Sequence, residues 1–234
     1  MVTPRQRARE RTMAEIRGLA WRQVEEQGAA SLSLRAIARD LGVVSSAIYR
    51  YVPSRDDLLT ALLVEGFTDL ADAVEAAEAR VDPADYRLRW ITIGAAMRAW
   101  ALARPSAWGL LYGGPVPGYN APQQETSPPG ARVLLRHSSV LIEAVAAGRL
   151  HPRVGPAAGL EEIPDALRPM LEAVSEQYGV KASAEVVAVG FLGWTSLLGM
   201  ISAEIFEQFG PEVAPLVEQL AQVQLNSIAD LMGL

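Results

Sequence analysis

Residues 33–59 read Ser33-Leu-Arg-Ala-Ile-Ala-Arg-Asp-Leu-Gly-Val-Val-Ser-Ser-Ala-Ile-Tyr-Arg-Tyr-Val-Pro-Ser-Arg-Asp-Asp-Leu-Leu59, and this stretch decides the fold. Ser33 is a good N-cap, and Ile37, Ala38 and Leu41 fall on one face of the helix that follows. Gly42 stands where that helix must stop and where a left-handed residue is needed. Ala38 and Gly42 are both small, as two closely crossing helices require. Ser45 is the expected cap of a second helix. In it Ala47, Ile48 and Val52 face inward, Ser46, Tyr49 and Arg50 face outward, and Pro53 ends it. Ser54 and Asp57 form a capping box for a third helix, with Asp56 and Asp57 at its positive end. Two short helices around a glycine turn make a helix-turn-helix, whose second helix enters the DNA major groove. On spacing alone, three ordinary capped surface helices are an equal reading.

The same segment resembles the DNA-binding domain of the TetR family of transcriptional regulators. The resemblance is carried by Gly28, Ser33-Leu34-Arg35-x-Ile37-Ala38, Leu41-Gly42-Val43, Ile48-Tyr49-Arg50-Tyr51-Val52-Pro53-Ser54-Arg55 and Leu58-Leu59. Tyr51 stands where the family most often has His, Val52 where Phe is usual and Arg55 where Lys is usual. The first and third keep a polar or cationic group for phosphate, and the second keeps an apolar plug. The resemblance implies an all-α chain. A three-helix DNA-binding domain over residues 1–54 is followed by a larger helical ligand-binding and dimerisation domain over 55–234.

Composition fits a soluble, mainly helical, cytoplasmic protein. There is no Cys, which excludes a disulfide framework and a thiolate metal site. No signal peptide is read at the start, because the first eleven residues are polar and Arg-rich. Cations are 20 Arg and Lys181 alone, a bias of composition rather than of function. The net charge of −6 looks wrong for DNA, but its distribution corrects that impression. Residues 1–57 carry ten Arg against seven acids, a balance of +3, and the rest of the chain carries −9. Arg5, Arg7, Arg9 and Arg11 form a basic N-terminal arm that leads into a helix through about Gln27. Such an arm reaches phosphate or the minor groove, or is a frayed terminus.

Beyond the head the pattern is helical throughout, without strand alternation or an internal repeat. Leu59, Leu62, Leu63, Phe67, Leu70 and Val74 place a long helix to about Arg80. Asp82-Pro83 supplies the next N-cap, for a helix ending near Arg104-Pro105. Residues 113–130 hold nine Gly or Pro among eighteen and read as a loop. An apolar helix then runs to about Gly148, and after a Pro/Gly-rich connection another runs from about Pro164 to Tyr178. Val186 to Ala203 is an uncharged run of eighteen, near the lower limit for a membrane span. Gly190, Gly193 and Gly199 interrupt it and acids bracket it, so no membrane partner is expected. A helix apolar on nearly all sides needs cover on nearly all sides. With Val213, Leu216, Val217, Leu220, Val223, Ile228 and Leu231 on a final helix, residues about 183–232 suit a homodimeric four-helix bundle. An internal core in a monomer is the alternative.

Trp100-Ala-Leu-Ala-Arg-Pro105, Gly109-Leu-Leu-Tyr-Gly113, Pro115-Val-Pro-Gly-Tyr119 and Gly193-Trp194-x-x-Leu197-x-Gly199 resemble a C-terminal regulatory domain of part of the TetR family. That domain is named for a tryptophan-histidine-glycine motif, and the matching run here lacks the histidine. The resemblance covers roughly residues 86–210. It implies ligand sensing and dimerisation and names no inducer.

Two-fold geometry then gives the expected partner, a double-stranded palindromic operator with half-sites ~34 Å apart. Ser45, Ser46, Ala47 and Tyr49 are the candidates on the recognition helix. Ala47 suits a thymine methyl, and the hydroxyls suit base edges or phosphate. Arg35 matches a family position able to reach a guanine, and Tyr51 and Arg55 look like phosphate contacts. Trp90, Met97, Trp100, Trp108, Tyr112, Phe191 and Trp194 are the candidate lining for a mostly apolar small-molecule effector, and equally suit plain core. His137 and His151 lie fourteen residues apart with no metal-ligand spacing, and both read as surface or cap residues. No cofactor, metal or catalytic constellation is expected, so the chain is not read as an enzyme. A repressor is the leading function, and a helical dimeric scaffold that does not touch DNA is the other class.

Overall fold

The structure is a computed structural model that describes residues 3–150, 162–177 and 182–234. Among the described residues every regular element is helical. They run α1 (Pro4–Gln27), α2 (Leu34–Asp40), α3 (Ser45–Ile48), α4 (Arg55–Glu78), α5 (Tyr86–Ala103), α6 (Pro105–Tyr112), α7 (Gln123–Ala146), α8 (Arg168–Gln177), α9 (Ala184–Ile205) and α10 (Val217–Met232).

Local chemistry sets most of the ends. Thr3 caps α1, its hydroxyl accepting from the Gln6 N–H at 3.2 Å while the Gln6 amide oxygen accepts from the Thr3 N–H at 2.8 Å. Arg5, Arg7, Arg9 and Arg11 therefore sit exposed on the first turns of a capped helix rather than on an extended arm. Asp85, not Asp82, caps α5, accepting from the Leu88 N–H at 2.9 Å, while Asp82 closes a turn onto Ala84. The expected loop over 113–130 is a loop only in its first part. Pro122 presents its carbonyl to the Glu125 and Thr126 N–H groups, each at 3.0 Å, and α7 starts there and runs through Pro128 and Pro129. Each proline removes one helical donor and crowds the carbonyl four residues before it, and the helix of 24 residues nevertheless continues through both. The helix expected from Pro164 begins as a turn, Leu167 N–H to the Pro164 carbonyl at 2.9 Å, and becomes regular at Arg168.

The chain forms two compact units, a division by packing that does not follow the expected functional boundary near residue 54. One holds residues to 69 together with 104–130, and the other holds 70–103 and 131–234. In the first, Ile16, Ala20 and Val24 of α1, Leu34, Ile37 and Ala38 of α2, Ile48 of α3 and Leu58, Leu59 and Leu62 of α4 make one buried core. Leu110 of α6 packs against it. Glu65 ties α4 to α1, accepting from Trp21 Nε1 at 3.1 Å and pairing with Arg17 at 2.5 Å. In the second unit α9 packs on α5, α8 and α10. Gly94 allows close packing there, since a Cβ on it would lie 2.5 Å from Leu225 Cδ2 and 2.8 Å from Leu197 Cδ2. By length and composition alone α9 could cross a membrane, with 39% of its most apolar window buried.

Candidate DNA-binding surface and effector cavity

The helix-turn-helix is built from bonds between near neighbours. The Ser33 hydroxyl accepts from the Ala36 N–H at 3.4 Å, and its own N–H donates to the side chain of buried Gln23 at 3.0 Å. Gly42 has φ +72°, and the Val43 N–H reaches back to the Ala38 carbonyl at 3.0 Å to close the turn. A Cβ at Gly42 would meet nothing within 4 Å, so its left-handed backbone, not close helix crossing, is what needs glycine. Val44, not Ser45, is the N-cap of α3, and it makes no side-chain cap bond. Ser45 is the first helical residue. At the third start the expected Ser54 cap is present, its hydroxyl accepting from the Asp57 N–H at 3.1 Å and donating to the Asp57 carboxylate at 2.7 Å in place of the backbone bond of a capping box.

This frame exposes Arg35, Ser45, Ser46 and Tyr49 and half-buries Ala47, Tyr51 and Arg55. Arg55 already has structural work, donating from Nη2 to the carbonyls of Ala29 and Ala30 at 3.2 and 3.0 Å. It thereby holds the short turn between α1 and α2 against the start of α4. Sequence reasoning passed over Val44, which is 72% exposed beside Ser45, and the exposed cation Arg39, while Arg50 is exposed as its outward position requires. The available signal was an apolar residue between the turn glycine and the serines, with no inward position to fill.

The seven candidate effector residues do not form one lining. Trp108 and Tyr112 belong to the first unit, where their rings lie 4.6 Å apart and Phe67 meets Tyr112 edge-on at 5.8 Å. Burial pushes the Tyr112 phenol up, to where it stays neutral. Trp90, Met97, Trp100, Phe191 and Trp194 belong to the second unit, Trp90 and Met97 fully buried and Phe191 41% exposed. Of the seven only Phe191 lines the apolar cavity of that unit, a space of about 60 Å³ between α7, α8 and α9. Among the described residues its wall is Leu134, Leu135, Leu141, Ile142, Val174, Val186, Val187 and neighbours, with Ser138 as the one polar side chain.

His137 is fully buried, against the expectation of a surface or cap residue, while His151 lies outside the described residues. Its ring sits between those of Trp90 and Trp194, 5.9 Å from each and steeply inclined to both. Burial lowers its pKa to about 4, so it is neutral near pH 7. A second polar cluster joins α4, α5 and α7. Glu78 accepts from Arg89 Nε at 2.7 Å and from Arg136 Nε and Nη2 at 2.5 and 2.6 Å, and Arg89 also donates to Glu143 at 2.7 Å. Burial opposes the Glu78 charge, but the bonds from Arg136 and Arg89 outweigh it and hold the carboxyl below its ordinary value.

Comparison with known proteins agrees with this architecture. The family described as "Bacterial regulatory proteins, tetR family" matches residues 16–62, and "Tetracyclin repressor-like, C-terminal domain" matches residues 90–228. The chain is 42% identical over 217 residues to HTH-type transcriptional regulators Rv1816 of Mycobacterium tuberculosis and Mb1846 of Mycobacterium bovis, covering 91% of this chain and 88% of each relative. Among solved structures it is similar to the regulatory protein SCO4313, at 31% identity and TM-score 0.73 over 97% of this chain and 98% of that one. A tetR-family regulatory protein from Rhodococcus RHA1 shares the fold at 14% identity and TM-score 0.63, over 94% and 96% of the two chains. With both parts matched and a relative at this identity across nine-tenths of its length, the chain belongs to the TetR family of DNA-binding transcriptional regulators.

Proposed function

We propose that the protein is a cytoplasmic repressor that binds a palindromic operator as a homodimer and is released by a small, mostly apolar effector. The observation that carries the reading is the exposed row Val44, Ser45, Ser46 and Tyr49 at the start and end of α3, with Arg35 exposed on α2. Apolar and hydroxyl groups there suit thymine methyls and base edges, and Arg35 suits a guanine. Tyr51 and Arg55 fix register on phosphate, Arg55 with the donors that Ala29 and Ala30 leave over.

Dimerisation through α9 and α10, residues about 183–232, is supported by the apolar surface they leave outside. Phe191 of α9, Leu216 just before α10, and Val223 and Leu231 of α10 are 41%, 58%, 61% and 40% exposed. An effector in the second unit acts by binding more tightly to a dimer whose heads no longer match successive major grooves. About 5.5 kcal/mol of such preference moves a 1:99 population to 99:1. The test is binding to a fragment from upstream of the protein's own gene, across a salt series, with sedimentation in parallel. Specific, salt-dependent binding by a dimer is expected. A monomer, or equal affinity for random DNA, overturns the reading.

A further inference from the structure

The first unit keeps its large apolar side chains covered except at one place. Among its described residues those that are exposed are Val43, Val44 and Tyr49, and all three lie on the turn into α3 or at its end. Two of them have an ordinary reason to be there. Tyr49 carries a hydroxyl that is at home in water. Val43 stands just before the N-cap, the place from which an apolar residue staples onto the fourth residue of the helix, here the buried Ile48.

Val44 has neither reason. It is 72% exposed and occupies the N-cap of α3, where valine is a poor choice and no side-chain cap bond is made. The neighbouring helices show what the chain does elsewhere. Ser33 caps α2 and Ser54 caps α4, each hydroxyl accepting a backbone N–H, at 3.4 and 3.1 Å. At position 44 the chain forgoes that bond and turns two methyl groups outward beside Ser45 and Ser46. Those methyls are held in place. The Val43 N–H reaches the Ala38 carbonyl at 3.0 Å, the Ala47 N–H reaches the Val44 carbonyl at 2.8 Å, and a β-branched side chain has few rotamers.

We propose that Val44 is a specificity residue that reads the C5-methyl group of one pyrimidine in each operator half-site. A helix-turn-helix brings the start of its second helix to base edges in the major groove, and the thymine methyl is the apolar group displayed there. Valine makes no hydrogen bond to a base edge, so what it distinguishes is a methyl from the bare C–H of cytosine or uracil. The recognised base is therefore thymine, or a 5-methylcytosine that carries its methyl at the same ring position. This deepens the operator-binding function proposed above and rests on it.

The experiment selects duplexes from a random pool with the full chain, then resynthesises the best of them with dU for one dT at a time. Wild type is expected to lose about fourfold in affinity at one dT of each half-site, the worth of one buried methyl. Val44→Ser is expected to bind the dT and dU duplexes alike at that position. A dC·dG pair placed there should gain about fourfold from 5-methylation with wild type and nothing with Val44→Ser. Because serine supplies the missing cap, the variant should melt at or above the wild-type temperature while binding the selected duplex more weakly, which a packing role for Val44 would not give. No dT with a dU penalty, the same penalty in Val44→Ser, or a lower melting temperature in that variant each overturns the proposal. Loss of the dimer in Val44→Ser also overturns it, since the patch would then belong to a second copy of the chain. The two failures are distinguishable. A pool from which no duplex is enriched removes operator binding and this proposal with it, whereas an enriched duplex whose methyl groups make no difference leaves operator binding standing and removes only the role of Val44.

Discussion

Arg89 donates from Nε to Glu78 Oε1 at 2.7 Å, and both side chains are almost wholly enclosed, at 3% and 4% exposure. The two charges come from helices joined by a short turn, and Arg136 of α7 completes the pair from a position 58 residues later in the chain. Such a cluster is costly to assemble in a low dielectric and costlier to halve. Arg89→Leu is expected to destabilise the chain by about 3 kcal/mol, because the other partners retain only part of the compensation. Glu78→Gln carries a second signature. The folded carboxyl is held below its ordinary 4.5, so its stabilisation is complete above that pH and is lost as pH falls through the folded value. Denaturant titrations at pH 7 and pH 4 should show Glu78→Gln losing stability at the first and narrowing its deficit at the second. A constant deficit would mean that the carboxyl is not ionised in the fold.

In the head, Arg35 and Arg55 separate by what each touches. Arg35 is exposed, whereas Arg55 binds the Ala29 and Ala30 carbonyls. Arg35→Ala should weaken the specific complex by about 1–3 kcal/mol, relax preference at one base pair and leave the melting temperature alone. Arg55→Ala should lower the melting temperature and reduce affinity for all sequences. Equal losses on specific and random DNA for Arg35→Ala would remove it from base reading.

The contrast shows what the sequence made legible. The helix-turn-helix was readable because its determinants are local. Ser33, Gly42 and the Ser54–Asp57 pair each act within four residues of themselves, and the apolar positions Ile37, Ile48 and Val52 follow the helical period. Ser45 was one residue off because a serine beside a turn looks like a cap, while the backbone places the extended residue at Val44. Counting Gly and Pro misread the start of α7, since composition does not reveal that Pro122 offers the first carbonyl. Long-range facts were out of reach. The Arg55 anchor spans 25 and 26 residues, and nothing in helical spacing tells which core receives Trp108 and which receives Trp90.

Val223 is 61% exposed on α10, a helix whose other side packs against α5 and α9. If two copies meet there, an arginine at that position brings two like charges together and desolvates them. Val223→Arg is expected to sediment as a monomer that keeps its helical circular dichroism and loses operator affinity at least tenfold. An unchanged dimer would move the interface elsewhere.

His137 gives the last expectation, in which the sign of the pH effect is opposite to that of a paired histidine. Its folded pKa is lowered by burial from 6.5 to about 4, so between those values the unfolded chain binds a proton that the native chain refuses. Stability must then fall as pH falls through that window, by up to about 1.4 kcal/mol per pH unit and about 3 kcal/mol in all. His137→Leu has no proton to refuse, and it also removes two unpaired buried nitrogens. The variant should match or exceed the wild type at pH 7, and its advantage should grow steadily towards pH 4.5. Carboxylates titrate in both proteins and cancel in the difference, provided that protein concentration is held fixed. An advantage that stays level across the window would mean that His137 takes up its proton in the folded state, with a partner or with solvent.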